Sequence, residues 1–295
     1  MSLLLDVTVA VVVLLVVVAV ILPAYGRAKQ ERERTERLQA FEQQAGTRVI
    51  TMIHRQEALS MMGVSLSRYI DIEDSEAVLR AIRKTDDDVP IDIILHTPGG
   101  LVLAAKQIAW ALAEHPADVT VYVPHYAMSG GTLLALTADE VVMDRNAVLG
   151  PVDPQLGGYA AASIRNAVER KDPSDVDDET LILDDMAEKA LTQVERSVSE
   201  LLEARGVEHA AAAELAETLS TGQFTHDYPI RVAEARDLGL DVSTEMPAEI
   251  YDLMELYSQP LNRRPSVRYI DAPYRVTQPS SAGATDVRTG ERRED

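Results

Sequence analysis

The chain has 295 residues, of which 46% are hydrophobic and 26% charged, so it is long enough for one sizeable folded domain with smaller additions. Its formal net charge of −20 makes nucleic acid an unfavourable partner, because phosphates repel an acidic surface. There is no cysteine, which excludes disulfides, thiolate zinc sites and a cysteine nucleophile.

The N-terminal segment is apolar over residues 3–22, apart from Asp6 and Thr8. A helix of this length spans the hydrocarbon core of a bilayer, which is about 30 Å thick. A cleaved signal peptide would begin with a basic region, whereas here the basic residues follow the apolar run. By the positive-inside rule we predict an uncleaved, single-pass anchor over residues 1–25, with the remaining chain in the cytoplasm. The basic residues in question are Arg27, Lys29, Arg32, Arg34 and Arg37.

The next predicted segments are a charged juxtamembrane helix over residues 26–45, a folded domain over 46–257 and a disordered tail over 258–295. The tail is rich in Pro, Ser, Arg and Asp, with few apolar residues. Within the folded domain, short apolar strands alternate with amphipathic helices, which predicts βαβ units and a mainly parallel sheet. We place strands at 48–53, 91–95, 119–123 and 140–143, and the longest helix at 179–205.

Two glycine pairs follow consecutive predicted strands, at Gly99-Gly100 and Gly130-Gly131. Glycines at such turns let the backbone bend sharply and leave N–H groups pointing outward at a helix N-terminus. Ser129 directly precedes the second pair, where its hydroxyl could attack a carbonyl while the N–H groups of Gly100 and Gly130 stabilise the oxyanion. Either pair alone is better explained as a tight turn, but together they predict a serine nucleophile.

These motifs resemble a known family. The order Thr97-Pro98-Gly99-Gly100, Ser129-Gly130-Gly131, Leu149-Gly150-Pro151 is similar to that of signal peptide peptidase A and related peptidases of the ClpP/crotonase fold. The strings at 125–132 and 225–230 resemble the serine dehydrogenase proteinase family more closely. Over residues 45–257 the resemblance implies an α/β, ClpP/crotonase-like fold of stacked ββα units, a serine endopeptidase activity and a homo-oligomer.

The general base is harder to place. A ClpP-type histidine would follow the nucleophile by a few tens of residues, but no histidine occurs between His125 and His209. The signal peptide peptidase A relatives use a Ser-Lys dyad with the lysine downstream, and Lys171 matches that placement. A lysine normally titrates near 10.4, so Lys171 must be desolvated to act as a base. The alternatives are Lys189 and His226. An i,i+4 ion pair with Asp185 explains Lys189 better than a catalytic role, unless its helix crosses the pocket.

The sequence thus predicts a membrane-anchored serine peptidase that acts on peptides or membrane proteins. The alternative is a non-proteolytic membrane scaffold or an acyl-CoA-type enzyme of the same fold, which would need no serine before Gly130. No histidine pair has helical spacing for a metal, so we expect neither metal nor cofactor.

Overall fold

The computed structural model describes residue 14 and residues 17–54 and 69–257. Most of the predicted membrane anchor and all of the predicted tail over 258–295 lie outside these residues. In the described part of the chain, no helix is both long enough and apolar enough to cross a bilayer. The anchor and the tail therefore stay predictions.

Five strands form the central sheet: β1 (Arg48–Ile53), β2 (Ile91–His96), β3 (Val119–Val123), β5 (Glu140–Met143) and β10 (Val242–Ser243). They are hydrogen-bonded in this order, and each neighbouring pair is parallel. All six residues of β2 are buried, as expected for a strand that is covered on both faces. The prediction of an α/β fold with a mainly parallel sheet is confirmed.

Helices connect the strands and flank the sheet. In chain order they are α1 (Leu22–Ala45), α2 (Ile72–Ile82), α3 (Val102–Ala113), α4 (Gly130–Ala135), α5 (Ala161–Glu169), α6 (Asp178–Ala204), α7 (His209–Ser220), α8 (Val232–Asp237) and α9 (Ala248–Glu255). A π-helical turn over Val17–Ile21 precedes α1, and a 3-10 turn over Pro173–Asp175 separates α5 from α6.

The side chains of β2 alternate between two apolar clusters. Ile91, Ile93 and Leu95 belong to the larger cluster, which also contains residues of α3, α4, α6 and α7. Ile94 belongs to a smaller cluster that includes Phe41 of α1 and three residues of α9. Because successive strand residues point to opposite faces, α1 and α9 cover the face opposite α3 and α4.

The charged helix α1 is therefore in contact with the folded domain. The side chains of Gln30 and Arg34 both donate to the carbonyl of Leu256, at 2.7 and 2.8 Å. The Arg34 guanidinium also lies 4.1 Å from the centre of the Tyr257 ring, a favourable cation–π contact. The helix ends at Gly46, whose φ of 72° is in the left-handed region that glycine adopts readily.

A second, smaller sheet consists of β4 (Tyr126–Ala127), β6 (Val148–Leu149) and β9 (Ile230–Arg231). Strand β4 is parallel to β6, whereas β9 is antiparallel to it. The residues that follow β4 and β6 therefore lie at the same end of this sheet as the residues that precede β9. A short antiparallel pair, β7 (Gln155–Leu156) and β8 (Tyr159–Ala160), follows β6 in the chain.

Candidate active site

Ser129 lies on a sharp turn between β4 and α4. Its φ of 51° and ψ of −114° make it the one non-glycine residue with positive φ among those described. Such a backbone conformation is strained for a residue with a side chain, and it persists only where neighbouring contacts enforce it. The contacts here are the hydrogen bonds from Gly131 N to Met128 O, at 2.8 Å, and from Leu133 N to Ser129 O, at 3.0 Å.

The two glycine turns predicted from the sequence are packed against each other. A Cβ added to Gly99 would lie only 2.8 Å from both Met128 O and the Cβ of Ser129. A Cβ added to Gly100 would overlap the backbone of Ile70. These positions therefore require glycine because two backbone segments approach within the space that a side chain would occupy.

Gly100 and Gly130 line the same pocket. Ile70 N donates to Gly99 O at 2.7 Å, and Leu101 N donates to Ile70 O at 2.8 Å. In a parallel bridge of this kind, the N–H of the intervening Gly100 points away from Ile70. In the described part of the chain neither the Gly100 nor the Gly130 amide has an acceptor, so both can donate to a bound oxygen.

Ser129 opens onto a narrow pocket of about 20 Å³. Its lining includes the two glycines, apolar residues of α3 and α4, and the segment that follows β6, namely Gly100, Val102, Ala105, Lys106, Ser129, Gly130, Leu133, Val152, Asp153, Pro154, Val194 and Ser197. A larger groove of about 650 Å³ adjoins this pocket, because Val102 and Lys106 line both. The groove runs along the exposed face of α3 past Trp110.

Asp153 is the buried carboxylate of this pocket, with a side chain that is 1% exposed. Its Oδ1 accepts a hydrogen bond from His226 Nδ1 at 2.7 Å, and its Oδ2 accepts one from Gln155 Nε2 at 2.6 Å. The backbone leading to it is fixed by Thr132, whose hydroxyl donates to Gly150 O at 2.8 Å. A buried carboxylate needs such partners to remain charged.

The hydrogen bond that His226 donates to Asp153 raises the pKa of His226 above its ordinary value of 6.5. Partial burial opposes this effect, and the charges of Asp153 and Asp227 add to it. Since Nδ1 donates its proton to Asp153, Nε2 is the nitrogen that can accept a proton in the neutral ring. The His226 side chain is 42% exposed. The small sheet places the segments that carry Ser129, Asp153 and His226 at one end. Ser129 and Asp153 both line the pocket, and His226 is connected to it through its hydrogen bond to Asp153.

The two lysines predicted as bases lie elsewhere. Lys171 is exposed on the turn after α5 and does not line the pocket of Ser129. Lys189 is 64% exposed on α6, where its Nζ lies 2.5 Å from Asp185 Oδ2, as the i,i+4 spacing indicated. These positions do not test a catalytic role for either lysine, so both assignments stay predictions.

Two residues of the pocket were missed in the sequence. Asp153 follows Leu149-Gly150-Pro151, in a stretch where a ClpP-type site predicts a histidine rather than a carboxylate. Lys106 lines the pocket from α3, one turn beyond its start, but a lysine on an amphipathic helix resembles any other solvated charge. The available signal for Asp153 was its position: it is a carboxylate shortly after β6, the first strand of the small sheet that follows the nucleophile.

Comparison with known proteins gives consistent matches over most of the chain. A family model described as ClpP-like SDH-type serine proteinase matches residues 1–283. The uncharacterized protein MJ1495 of Methanocaldococcus jannaschii is 54% identical over 242 residues, covering 82% of each chain. The uncharacterized protein MJ0137 of the same organism is 55% identical over 249 residues, covering 84% of this chain and 86% of that one. Among solved structures, a 1510-N membrane-bound stomatin-specific protease mutant in complex with a substrate peptide is 21% identical, with a TM-score of 0.43, over 66% of this chain and 81% of that chain.

Proposed function

Since the chain belongs to the family of ClpP-like SDH-type serine proteinases, we propose that it hydrolyses peptide bonds through an acyl-enzyme on Ser129. The observation that carries the proposal is the buried Asp153, which lines the pocket of Ser129 and holds His226 at 2.7 Å. Acyl transfer by serine requires a hydroxyl, an imidazole and a carboxylate that orients the imidazole, together with two free backbone amides.

The proposed reaction has two steps. Ser129 Oγ attacks the scissile carbonyl while Nε2 of neutral His226 takes the hydroxyl proton, and the Gly100 and Gly130 amides donate to the oxyanion. The intermediate then expels the amine, which receives the proton from His226, and leaves an ester on Ser129. A water molecule, deprotonated in turn by His226, hydrolyses this ester and restores the hydroxyl. Asp153 keeps the proton of His226 on Nδ1 and stabilises the imidazolium.

This assignment changes the base that the sequence favoured. His226 was one of two alternatives to Lys171, with Lys189, and it is preferred here because it is hydrogen-bonded to a buried carboxylate of the pocket. Lys171 remains the competing base. Membership in a serine proteinase family also favours a peptidase over the scaffold or acyl-CoA-type alternative.

The pH dependence of hydrolysis tests the proposal. Only neutral His226 can act as a base, and its pKa is raised from 6.5, so we expect kcat/KM for a peptide to rise with pH through a midpoint above 6.5. NMR titration of His226 should give the same midpoint in the wild-type chain, and a lower pKa in Asp153→Asn. A midpoint for kcat/KM that does not coincide with the NMR titration of His226 would point to another base, such as Lys171.

We also propose that residues 3–22 anchor the chain in the cell membrane with the folded domain in the cytoplasm, supported by the apolar run and the basic residues after it. The full-length chain should remain in the membrane pellet after a carbonate wash. The double variant Val12→Arg, Leu15→Arg should move to the supernatant, because each arginine at the helix centre costs about 2.5–3.5 kcal/mol.

The matched control for this experiment is Val12→Leu, Leu15→Val, which keeps the segment apolar and should stay in the pellet. Protease added to intact cells should leave the domain intact. A wild-type chain found in the wash supernatant contradicts the anchor, and digestion of the domain from outside contradicts its sidedness.

A further inference from the structure

His54 is a buried histidine outside the proposed catalytic group. It follows β1 directly and is 5% exposed. Its Nδ1 lies 2.9 Å from the hydroxyl of Thr97, and its Nε2 lies 3.1 Å from Oδ2 of Asp74. Both ring nitrogens thus have a partner, and the two partners belong to different segments of the chain.

Thr97 connects this histidine to both turns of the candidate site. Its backbone N–H donates to Tyr126 O at 3.1 Å, and its carbonyl accepts from Met128 N at 3.0 Å. Its hydroxyl accepts a hydrogen bond from Gly99 N at 3.2 Å. Thr97 therefore contacts the turn of Ser129 through its backbone and the turn of Gly100 through its side chain.

The direction of these hydrogen bonds follows from the groups involved. The Asp74 carboxylate can only accept, so Nε2 of the neutral ring donates to it and Nδ1 becomes an acceptor. The Thr97 hydroxyl then donates to Nδ1 at 2.9 Å, in preference to Gly99 O at 3.4 Å. This leaves a lone pair of the hydroxyl free to accept from Gly99 N–H.

Asp74 is itself held in a defined position. It forms a reciprocal capping box with Asp71 at the start of α2, in which each carboxylate accepts from the backbone N–H of the other at 3.0 Å. Ile70, the residue before Asp71, forms backbone hydrogen bonds with Gly99 and Leu101, on either side of Gly100. The start of α2 thus holds the Gly100 turn in two ways, by backbone pairing and through the chain from Asp74 to His54 to Thr97.

We propose that His54 is a positioning residue for the peptidase reaction: through Thr97 it fixes the orientation of the Gly99-Gly100 turn, and with it the Gly100 N–H that faces the oxyanion. The inference rests on the proposed function. It assigns His54 no contact with substrate. An oxyanion donor contributes more in the transition state than in the substrate complex, so its misplacement lowers kcat more than it raises KM.

Two sets of variants test this role by steady-state peptide hydrolysis. His54→Phe keeps a ring in the buried site but removes both hydrogen bonds, and we expect kcat to fall about 100-fold with KM within about threefold. Thr97→Val keeps the shape of the side chain without the hydroxyl, and its kcat should fall by a similar factor. Thr97→Ser restores the hydroxyl and should recover kcat to within about fivefold of wild type.

The control for a merely structural effect is His115→Phe. His115 is also buried, with its Nε2 at 2.8 Å from Val89 O, but it lies just beyond the far end of α3. It should lose stability and keep kcat. An equal loss of kcat in His115→Phe, or a normal kcat in both His54→Phe and Thr97→Val, overturns the proposal. If His54→Phe does not fold, the Thr97 pair decides.

The failure of this inference is distinguishable from that of the proposed function. If hydrolysis by the wild-type chain does not depend on Ser129, the function itself is wrong. If it depends on Ser129 but not on the Thr97 hydroxyl or His54, the peptidase stands and only the positioning role is lost.

Discussion

Replacement of Ser129 by alanine is expected to lower kcat for peptide hydrolysis by at least about 10⁴-fold, because no other group in the proposed mechanism can form the acyl-enzyme. The substitution removes a single oxygen from a side chain whose backbone is held by Gly131 and Leu133. The fold should therefore be retained, and thermal unfolding of the variant verifies this. Initial rates with a fluorogenic peptide at saturating concentration measure the loss.

Ser220→Ala is the matched control for that experiment. Ser220 is fully buried, and its hydroxyl donates within its own helix α7, to Ala216 O at 2.6 Å. Its loss should leave kcat within about twofold of wild type. A Ser129→Ala chain that keeps more than about 1% of the wild-type kcat would exclude this serine as the nucleophile.

The second large effect is expected at the base. His226→Ala removes the proton acceptor, and Asp153→Asn favours the wrong tautomer of the ring. Each should lower kcat about 10³-fold or more. Lys171→Met and Lys189→Met should stay within about threefold of wild type, because both side chains are exposed. Unlike His226, neither is hydrogen-bonded to a residue that lines the pocket of Ser129 in the described part of the chain. All four variants are compared by kcat with one peptide at one pH.

His209 provides a matched histidine for this comparison. Its Nδ1 lies 2.9 Å from Glu203 Oε1, a pair similar to that of His226 and Asp153, but on an exposed surface at the start of α7. His209→Ala should therefore keep wild-type kcat. A loss in Lys171→Met of the size expected for His226→Ala, together with an active His226→Ala, would restore the Ser-Lys dyad.

The elements that the sequence predicts well are those with a long, continuous pattern. The longest helix is predicted at 179–205 and found at Asp178–Ala204, because its apolar positions recur with the helical period. The strands β1, β2, β3 and β5 agree with the predicted apolar runs to within one residue. The turn of Ser129 and its contact with the Gly100 turn also follow from the sequence, since consecutive parallel strands end at the same edge.

The part of the site that the sequence does not predict depends on short elements and distant residues. Strands β4, β6 and β9 have two residues each, too few to show any period. These strands nevertheless bring Asp153 and His226 together across 73 residues of chain. Residues so far apart in the chain come into contact only through the fold. A search of the sequence that follows Ser129 therefore favours a lysine and does not find the pair of Asp153 and His226.

The charged helix illustrates a second limit. Its composition predicts a solvent-exposed helix, and most of its residues are exposed. Its contact with α9 depends on few side chains, among them Phe41 and Arg34, which a charge pattern does not single out. A helix of this kind can be predicted from its sequence, but the surface that it contacts cannot.

The most direct test of the central claim is to identify the residue that an activated phosphonate modifies. After reaction of the wild-type chain, digestion and tandem mass spectrometry should find one adduct, on Ser129, and its appearance should coincide with the loss of peptide hydrolysis. An adduct on another residue that abolishes hydrolysis, or full inhibition with Ser129 unmodified, would contradict the account.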